Sequence, residues 1–301
     1  MRSCGGAANP PPMARGIPPP KLDDAPLAPG LYVVATPIGN LRDITLRALD
    51  VLAAVDLVLA EDTRVAGKLL SAYGLSAKLE RYDEHGAERT RPKAMAALAE
   101  GRRVALISDA GTPLVSDPGY KLVREAAARG VAVFPIPGAS ALLAGLSAAG
   151  LPTDRFLFAG FPPPKSAARR TFLEELAPVR ATLVFFEGGS RLAASLADMA
   201  AVFGPREGVV CRELTKLYET IVRGPLPDLA ADPQFEAPKG ELVVLVGPGQ
   251  AAEATAGDID TALADALTRL RPAEAAAEVA KALGLSRRDV YQRAMVLRAG
   301  R

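Results

Sequence analysis

The apolar positions of the first half fall into short runs separated by longer amphipathic stretches. LYVVAT from Leu31, DLVLA at 56–60, RVALIS at 103–108 and VAVFPI at 131–136 read as strands. Between them, 45–55, a segment running to about Ala72, 87–100, 119–129 and 139–149 carry the helical spacing of apolar residues. Asp43 or Thr45 stands near the first N-cap, and Gly130 ends the fourth helix. Apolar runs alternating with helices mark βαβ units and a parallel sheet.

After the Gly-Leu-Pro at 150–152 the pattern changes. RFLFAGF, ATLVFFE, GVVCREL, the stretch around LYETIVRG, and ELVVLVG read as five strands, with two clear helices among them, 166–176 and 191–203. Strands joined by short connections imply antiparallel or mixed pairing. Beyond the Gly-Pro-Gly at 247–249, IDTALADALTRL, PAEAAAEVAKAL and the segment from Ser286 read as three helices. Pro272 is a first-turn proline, Gly284 a stop, and Ser286 with Asp289 a capping box. Their spacing is that of a helix-turn-helix. Either this unit docks on the body or a partner subunit, or Arg287, Arg288, Arg293 and Arg298 turn it toward nucleic acid. The expected organisation is a disordered tail over 1–29, an α/β domain over 30–150 with a mainly parallel sheet, an α/β domain over 151–250 with a mixed sheet, and a helical unit over 251–301.

Composition narrows the function classes. The chain has 301 residues, 49% of them hydrophobic, and 36 Lys plus Arg against 34 Asp plus Glu. A formal charge of +2 is far from the strongly basic balance that advertises nucleic-acid binding, so a polyanion would have to meet a local patch. Cys4 and Cys211 match no metal or redox spacing and read as free thiols. No apolar run is long enough for a membrane span and the N-terminus lacks a secretory apolar core, so the expected location is the cytoplasm. The first 29 residues are rich in Pro, Gly and Ala and poor in large apolar side chains that could repay ordering entropy.

Standard nucleotide and hydrolase motifs are missing from the sequence: no phosphate loop, no G-x-G-x-x-G after a strand, no H-E-x-x-H, no nucleophile elbow. What remains is a set of polar loops at strand ends: ATPIGNLRDIT (35–45), AEDTR (60–64), YDEHG (82–86) and ISDAGTPLVSDPG (107–119). In a parallel sheet these lie on one edge, where ligands bind. Plainer roles are open to each. Thr45, Asp62 and Asp117 can cap helices, Asp117 with Pro118 as a first-turn proline, and His85 can be an ordinary loop residue.

TPIGNLRDITLRAL, AEDTR, YDEHG, ISDAGTPLVSDPG, PIPGASA, RFLFAGFPPPK and RELTKLYE, in that order, resemble the motifs of the tetrapyrrole methylase superfamily. Within it the chain is most similar to the branch that methylates the ribose 2'-hydroxyl of a cytidine in the decoding region of 16S rRNA. The likeness runs from about Leu31 to Gly247. It implies two α/β domains in a homodimer, S-adenosylmethionine in the cleft between the domains, no metal, and 16S rRNA in the small ribosomal subunit as partner. Carried over by position, cofactor contacts fall on Pro37, Gly39, Asp109, Ala110, Gly111, Thr112, Val115 and Ser140, with others near Phe186-Glu187 and Gly240-Glu241.

A ribose hydroxyl is a weak acid, so a base or an orienting group is expected. Candidates are Glu61, Asp62, Asp83, Glu84, His85 and Asp109; Glu61 and Asp62 rank first, with Arg64 placed to hold a phosphate. RNA contact is expected at Lys165, Arg169, Arg170, Arg191, Arg212 and Lys216. Where this branch often carries Pro-His-Arg or Pro-x-Arg after Phe-Tyr-Glu, this chain has Gly188-Gly189-Ser190-Arg191, which keeps the arginine and loses the histidine. Competing readings are methylation of a tetrapyrrole carbon, a nucleic-acid-binding regulator working through the C-terminal helices, and a cofactor-binding protein without catalysis.

Overall fold

The computed structural model describes residues 22–23, 25–236, 238–249, 256–283 and 285–299. The first half alternates β1 (Gly30–Val34), α1 (Leu46–Ala54), β2 (Leu57–Ala60), α2 (Thr63–Ala72), β3 (Leu79–Arg81), α3 (Ala87–Ala99), β4 (Arg103–Ile107), α4 (Tyr120–Ala128), β5 (Val133–Ile136) and α5 (Ala141–Ala149). Its five strands are all parallel, in the order β3-β2-β4-β1-β5. Both faces are covered. Val34, Val58 and Ala105 pack against Leu52 of α1 and Leu70 of α2, while Leu31, Leu59 and Leu106 pack against Met95 of α3 and Leu122 of α4. Burial from both sides explains why these strands read as continuous apolar runs.

The second half contains β6 (Phe156–Gly160), α6 (Ser166–Leu176), β7 (Thr182–Gly188), α7 (Leu192–Phe203), β8 (Glu207–Arg212), β9 (Thr220–Pro225), α8 (Leu226–Ala231) and β10 (Glu241–Val246). The sheet order is β6-β7-β10-β8-β9, with β6 and β7 parallel and the other pairs antiparallel, a mixed sheet as expected. One face packs on α6, α7 and α8 through Leu173, Leu196 and Leu229. The other face shares a core with the first half: Val184, Val209, Cys211, Val243 and Leu245 meet Ile38, Leu146 and Ala149. Helix α5 lies against β10 here, and a methyl on Gly145 would stand 3.1 Å from Val243 Cγ1. The Arg223 guanidinium donates to the Ala149 carbonyl at 2.9 Å, satisfying a free acceptor at the C-terminal end of α5.

Helices α9 (Ala256–Ala266), α10 (Pro272–Leu283) and α11 (Arg287–Ala299) build a small core of their own around Leu263, Ala276, Val279 and Val290. Arg293 is bound to Asp260 at 2.6 Å, so its charge ties α11 to α9. Among the described residues no helix is long and apolar enough to cross a membrane.

Three details depart from the sequence reading. Strand β3 is only Leu-Glu-Arg and α8 only six residues, too short for either periodicity to register. The end of the expected tail is not free: Leu22 and Leu27 pack on the first half, the Asp23 amide donates to Asp50 at 3.0 Å, and Ala28 accepts from the Tyr32 hydroxyl at 2.6 Å. Residues 1–21, with Cys4, lie outside the described residues. Cys211 is a buried free thiol in the shared core, and burial pushes its pKa up to about 12.

Candidate active site

The strand order turns at β1 and β4, neighbours in the middle of the sheet whose following helices pack on opposite faces. The loops that leave them therefore part at the C-terminal edge and open a crevice. They are stitched by an isolated bridge, Thr36 N–H to Gly111 O at 2.9 Å and Gly111 N–H to Thr36 O at 3.0 Å. Gly111, at φ 82°, is one position where only glycine is at ease; a side chain there would also crowd Ile38. Thr112 donates to Ala139 O at 3.1 Å, joining this loop to the entry of α5.

Above this edge the two halves enclose a chamber of about 410 Å³. The first half supplies Asp109, Ala110, Gly111, Thr112, Val115 and Ser140; the second supplies Phe161, Phe186-Glu187 and Gly240-Glu241. Pro37 and Gly39 line a second, more open chamber with Leu41, Val65 and Lys68. Ile38, Asp109, Ala110, Lys216 and Glu241 are common to both. The positions singled out for the cofactor thus converge on two adjoining spaces. Ile38, Ser116, Asp117, Phe161 and Leu214 also line the main chamber, and sequence reasoning did not pick them out. The signal for Phe161 was at hand, since it follows directly on β6.

The loops facing each other across the cleft are strained. All the non-glycine residues with positive φ among those described lie in them: Leu114 (74°) and Ser116 (66°) on one side, Glu213 (51°) and Thr215 (67°) on the other. Such backbone costs about 1 kcal/mol or more per residue and persists only where the surroundings over-determine it. Lys216 spans the gap. Its ammonium sits 3.0 Å from Glu213 and 3.1 Å from Glu241, and its stem covers Gly39, where a Cβ would lie 2.4 Å from Lys216 Cγ. It is a wall of the cleft, with its charge already matched, and not the free RNA-binding cation expected.

The carboxylates separate into distinct roles. Asp62 is the N-cap of α2: it accepts from Arg64 N–H at 2.8 Å and pairs with the Arg64 guanidinium at 2.6 Å, which together hold its carboxyl well below the usual carboxylate range. The Arg64 pair must open before Asp62 can take up a proton. Asp109 accepts the Asp62 backbone N–H at 2.9 Å, so the loops after β2 and β4 are joined. Burial first, then the charges of Asp109 and Asp83, push the Glu61 carboxyl up. Asp83 closes its own turn by accepting from Gly86 N–H at 2.7 Å, and Glu84 and His85 are exposed on that turn, lining neither chamber.

Asp117 departs from expectation. It does not cap α4. Gly119, at φ 137°, takes the N-cap position without a side-chain bond, and the helix starts at Tyr120. A Cβ at Gly119 would come 2.6 Å from Leu106 Cδ2, so the turn is pressed onto the core and Asp117 faces the chamber instead. Burial, with Glu61 nearby, raises its pKa to about 6 against a hydrogen bond with Ser108 that lowers it.

The expected RNA-contacting cations also divide. Arg169 is 3% exposed and bound to Asp198 at 2.7 Å, with α6 locked to α7; it is a structural ion pair and not the RNA contact expected. Arg170 joins the same carboxylate at 2.6 Å but keeps half its side chain in water. Arg191 is folded back onto Glu187 and the Pro162 carbonyl, and Arg212 onto the Lys239 carbonyl. Lys165 is exposed, and so is Arg64, at 86%.

The chamber fits S-adenosylmethionine in size and in the chemistry of its walls. Ile38, Val115, Phe186 and Val243 give apolar surface for a purine, while the turn at 109–112 offers main-chain amides and carbonyls. The N-terminal end of α5, at Ala141, suits the amino-acid carboxylate.

Comparison with known proteins agrees with this geometry. Residues 30–230 match the family model described as Tetrapyrrole (Corrin/Porphyrin) Methylases, and residues 253–298 match the RsmI C-terminal HTH domain. A Mesorhizobium japonicum protein named ribosomal RNA small subunit methyltransferase I is 52% identical, over 91% of this chain and 94% of its own. One of the same name from Escherichia coli O157:H7 is 46% identical, over 85% of this chain and 88% of its own. The fold is shared with uroporphyrin-III-C-methyltransferase from Thermus thermophilus (TM-score 0.52, 24% identity, 72% of this chain and 93% of that one). It is shared as well with the methyltransferase CobJ (TM-score 0.55, 22% identity, 73% and 94%). The chain belongs to the tetrapyrrole methylase family of S-adenosylmethionine-dependent methyltransferases, in the branch whose members are named ribosomal RNA small subunit methyltransferase I.

Proposed function

We propose that this protein transfers the methyl group of S-adenosylmethionine to the ribose 2'-hydroxyl of a cytidine in the decoding region of 16S rRNA, in the cytoplasm, on the small ribosomal subunit and as a homodimer. The observation that carries the reading is the cleft itself. Its first-half wall is the DAGTP-type loop with the entry of α5, in a chain whose relatives bear a ribosomal RNA methyltransferase name. The division at 30–150, 151–250 and 251–301 belongs to the same proposal, supported by a core within each part beside the one that the first two share.

When bound, the cofactor supplies an activated methyl on a sulfonium, which makes transfer exergonic. The protein's own residues then orient and shield. Gly111 and Thr112 fix the cradle, Phe161 and Phe186 form a T-shaped pair at 5.6 Å that keeps water from one wall, and the carboxylates at the strand ends accept a proton. Glu61 sits in that carboxylate group, and Arg64, Lys165 and Arg170 offer partly free cations to phosphates. Arg287 and Arg288, exposed on α11, offer further cations on the helical unit. Exposed Tyr120, Leu143 and Tyr218 are available for self-association.

The test is incubation of the purified chain with labelled cofactor and small subunits lacking the modification, followed by nucleoside mass spectrometry. Label in 2'-O-methylcytidine is expected. Label on a base carbon or nitrogen, or only on a tetrapyrrole offered in parallel, would overturn the reading.

A further inference from the structure

Five carboxylates line the main chamber: Asp109, Asp117, Glu187, Glu213 and Glu241. Four are engaged. Asp109 accepts the Asp62 amide; Glu187 is fully buried and bound to Arg191 and Ser195; Glu213 and Glu241 share Lys216. Among the described residues Asp117 is in no ion pair, and its neighbours are the Ser108 side chain, Glu61 and Asp109. Nothing in helix geometry accounts for it, since Gly119 occupies the cap position. It is half-buried, at a turn whose left-handed Leu114 and Ser116 hold it toward the cavity.

We propose that Asp117 is the proton acceptor for the attacking 2'-hydroxyl, an assignment that rests on the RNA 2'-O-methyltransferase reading above. As the 2'-oxygen takes the methyl, the oxygen–carbon bond forms. The sulfur–carbon bond breaks with its electron pair left on a neutral thioether, and the hydroxyl proton passes to a carboxylate oxygen of Asp117, from which solvent later removes it. The groups facing Asp117 suit this task. Glu61, from the end of β2, and Asp109, after β4, are both acidic, and Ser108 contributes a hydroxyl; no cation is among them. Acidic neighbours and burial make a carboxylate more basic, and at neutral pH it remains mostly ionised and ready to accept.

The experiment uses the full chain, Asp117→Asn and Asp117→Glu. In cofactor-free protein, carbon-13 NMR of the aspartate carboxyls should show one group titrating near pH 6, absent from Asp117→Asn. Calorimetry should give the variant a cofactor affinity within about twofold of the parent, while single-turnover transfer falls on the order of 100-fold with little change in KM for the subunit. The acidic limb of the parent's rate profile should vanish in Asp117→Asn and move in Asp117→Glu, which retains part of the rate. Turnover of Asp117→Asn within about threefold, or an unchanged acidic limb in either variant, would overturn the assignment. So would a loss of cofactor affinity in step with the rate, because the carboxylate would then be a cofactor anchor. If the parent itself leaves the 2'-hydroxyl unmodified, the reading beneath the proposal fails instead, and the two failures are told apart by that control.

Discussion

The loop after β2 and the loop after β4 each place an aspartate shortly before a helix, yet they use it in opposite ways. Asp62 stands at the N-cap of α2, takes the Arg64 amide and then the Arg64 guanidinium, and becomes a fixed anion. Asp117 stands two residues before a cap that is Gly119, and its carboxylate turns into the chamber. The difference lies in the backbone. At α2 the chain enters in an extended conformation that lets the side chain reach the first turn; at α4 a glycine at φ 137° presses on Leu106 and takes that position away. An acid before a helix is a cap only if the residue at the cap position is that acid.

This contrast can be broken at the glycine. Gly119→Val should cost about 3 kcal/mol of stability, since it adds a β-branched side chain at a glycine-favoured φ and overlaps Leu106; urea unfolding measures it. The next effect concerns pH. Asp117 has a folded pKa of about 6 against the ordinary 3.8, so the favourable contribution of its protonated form is fully present below about pH 4 and lost as pH rises through 6. Asp117→Asn should therefore be more stable than the parent at pH 8, by roughly 1 to 2 kcal/mol after discounting for solvent screening of a partly exposed side chain, and equal to it near pH 3.5. Equal denaturation midpoints at both pH values would contradict the raised pKa. Asp62→Asn keeps a good capping side chain and should hold methyl transfer within about threefold of the parent. Arg64→Ala should be smallest: KM for the subunit rises about twofold, and the salt slope of binding falls by about 1 if the guanidinium meets a phosphate.

Much of the fold was legible because the chemistry is local. Thr45 caps α1 through Ala48 N–H at 3.2 Å, and α6 spans the very residues its pattern marks, 166–176. The five strands of the second half were readable as short apolar runs, and β3 was not, because its only apolar residue is Leu79. The site was legible as a set of loops, since polar residues with glycine and proline directly after an apolar run mark a buried strand that opens onto a shaped, water-facing edge. The roles within it were not. Whether Arg169 meets RNA or Asp198 depends on α7, whose Asp198 lies 29 residues away in sequence, and no periodicity encodes that contact. The reassignment of Asp117 depends on Leu106 lying beneath Gly119, a contact of the folded core.

Helix α5 has one further consequence. By sequence it closes the first half, yet Gly145 lies on Val243 and its last carbonyls are held by Arg223, both from the second. A fragment ending at 150 would bare Leu146 and Ala149 to water and should aggregate. Hybrids between relatives will assemble best when α5 and β10 come from the same parent, so the useful exchange point lies before Ser140 and not at the apparent seam after Gly150.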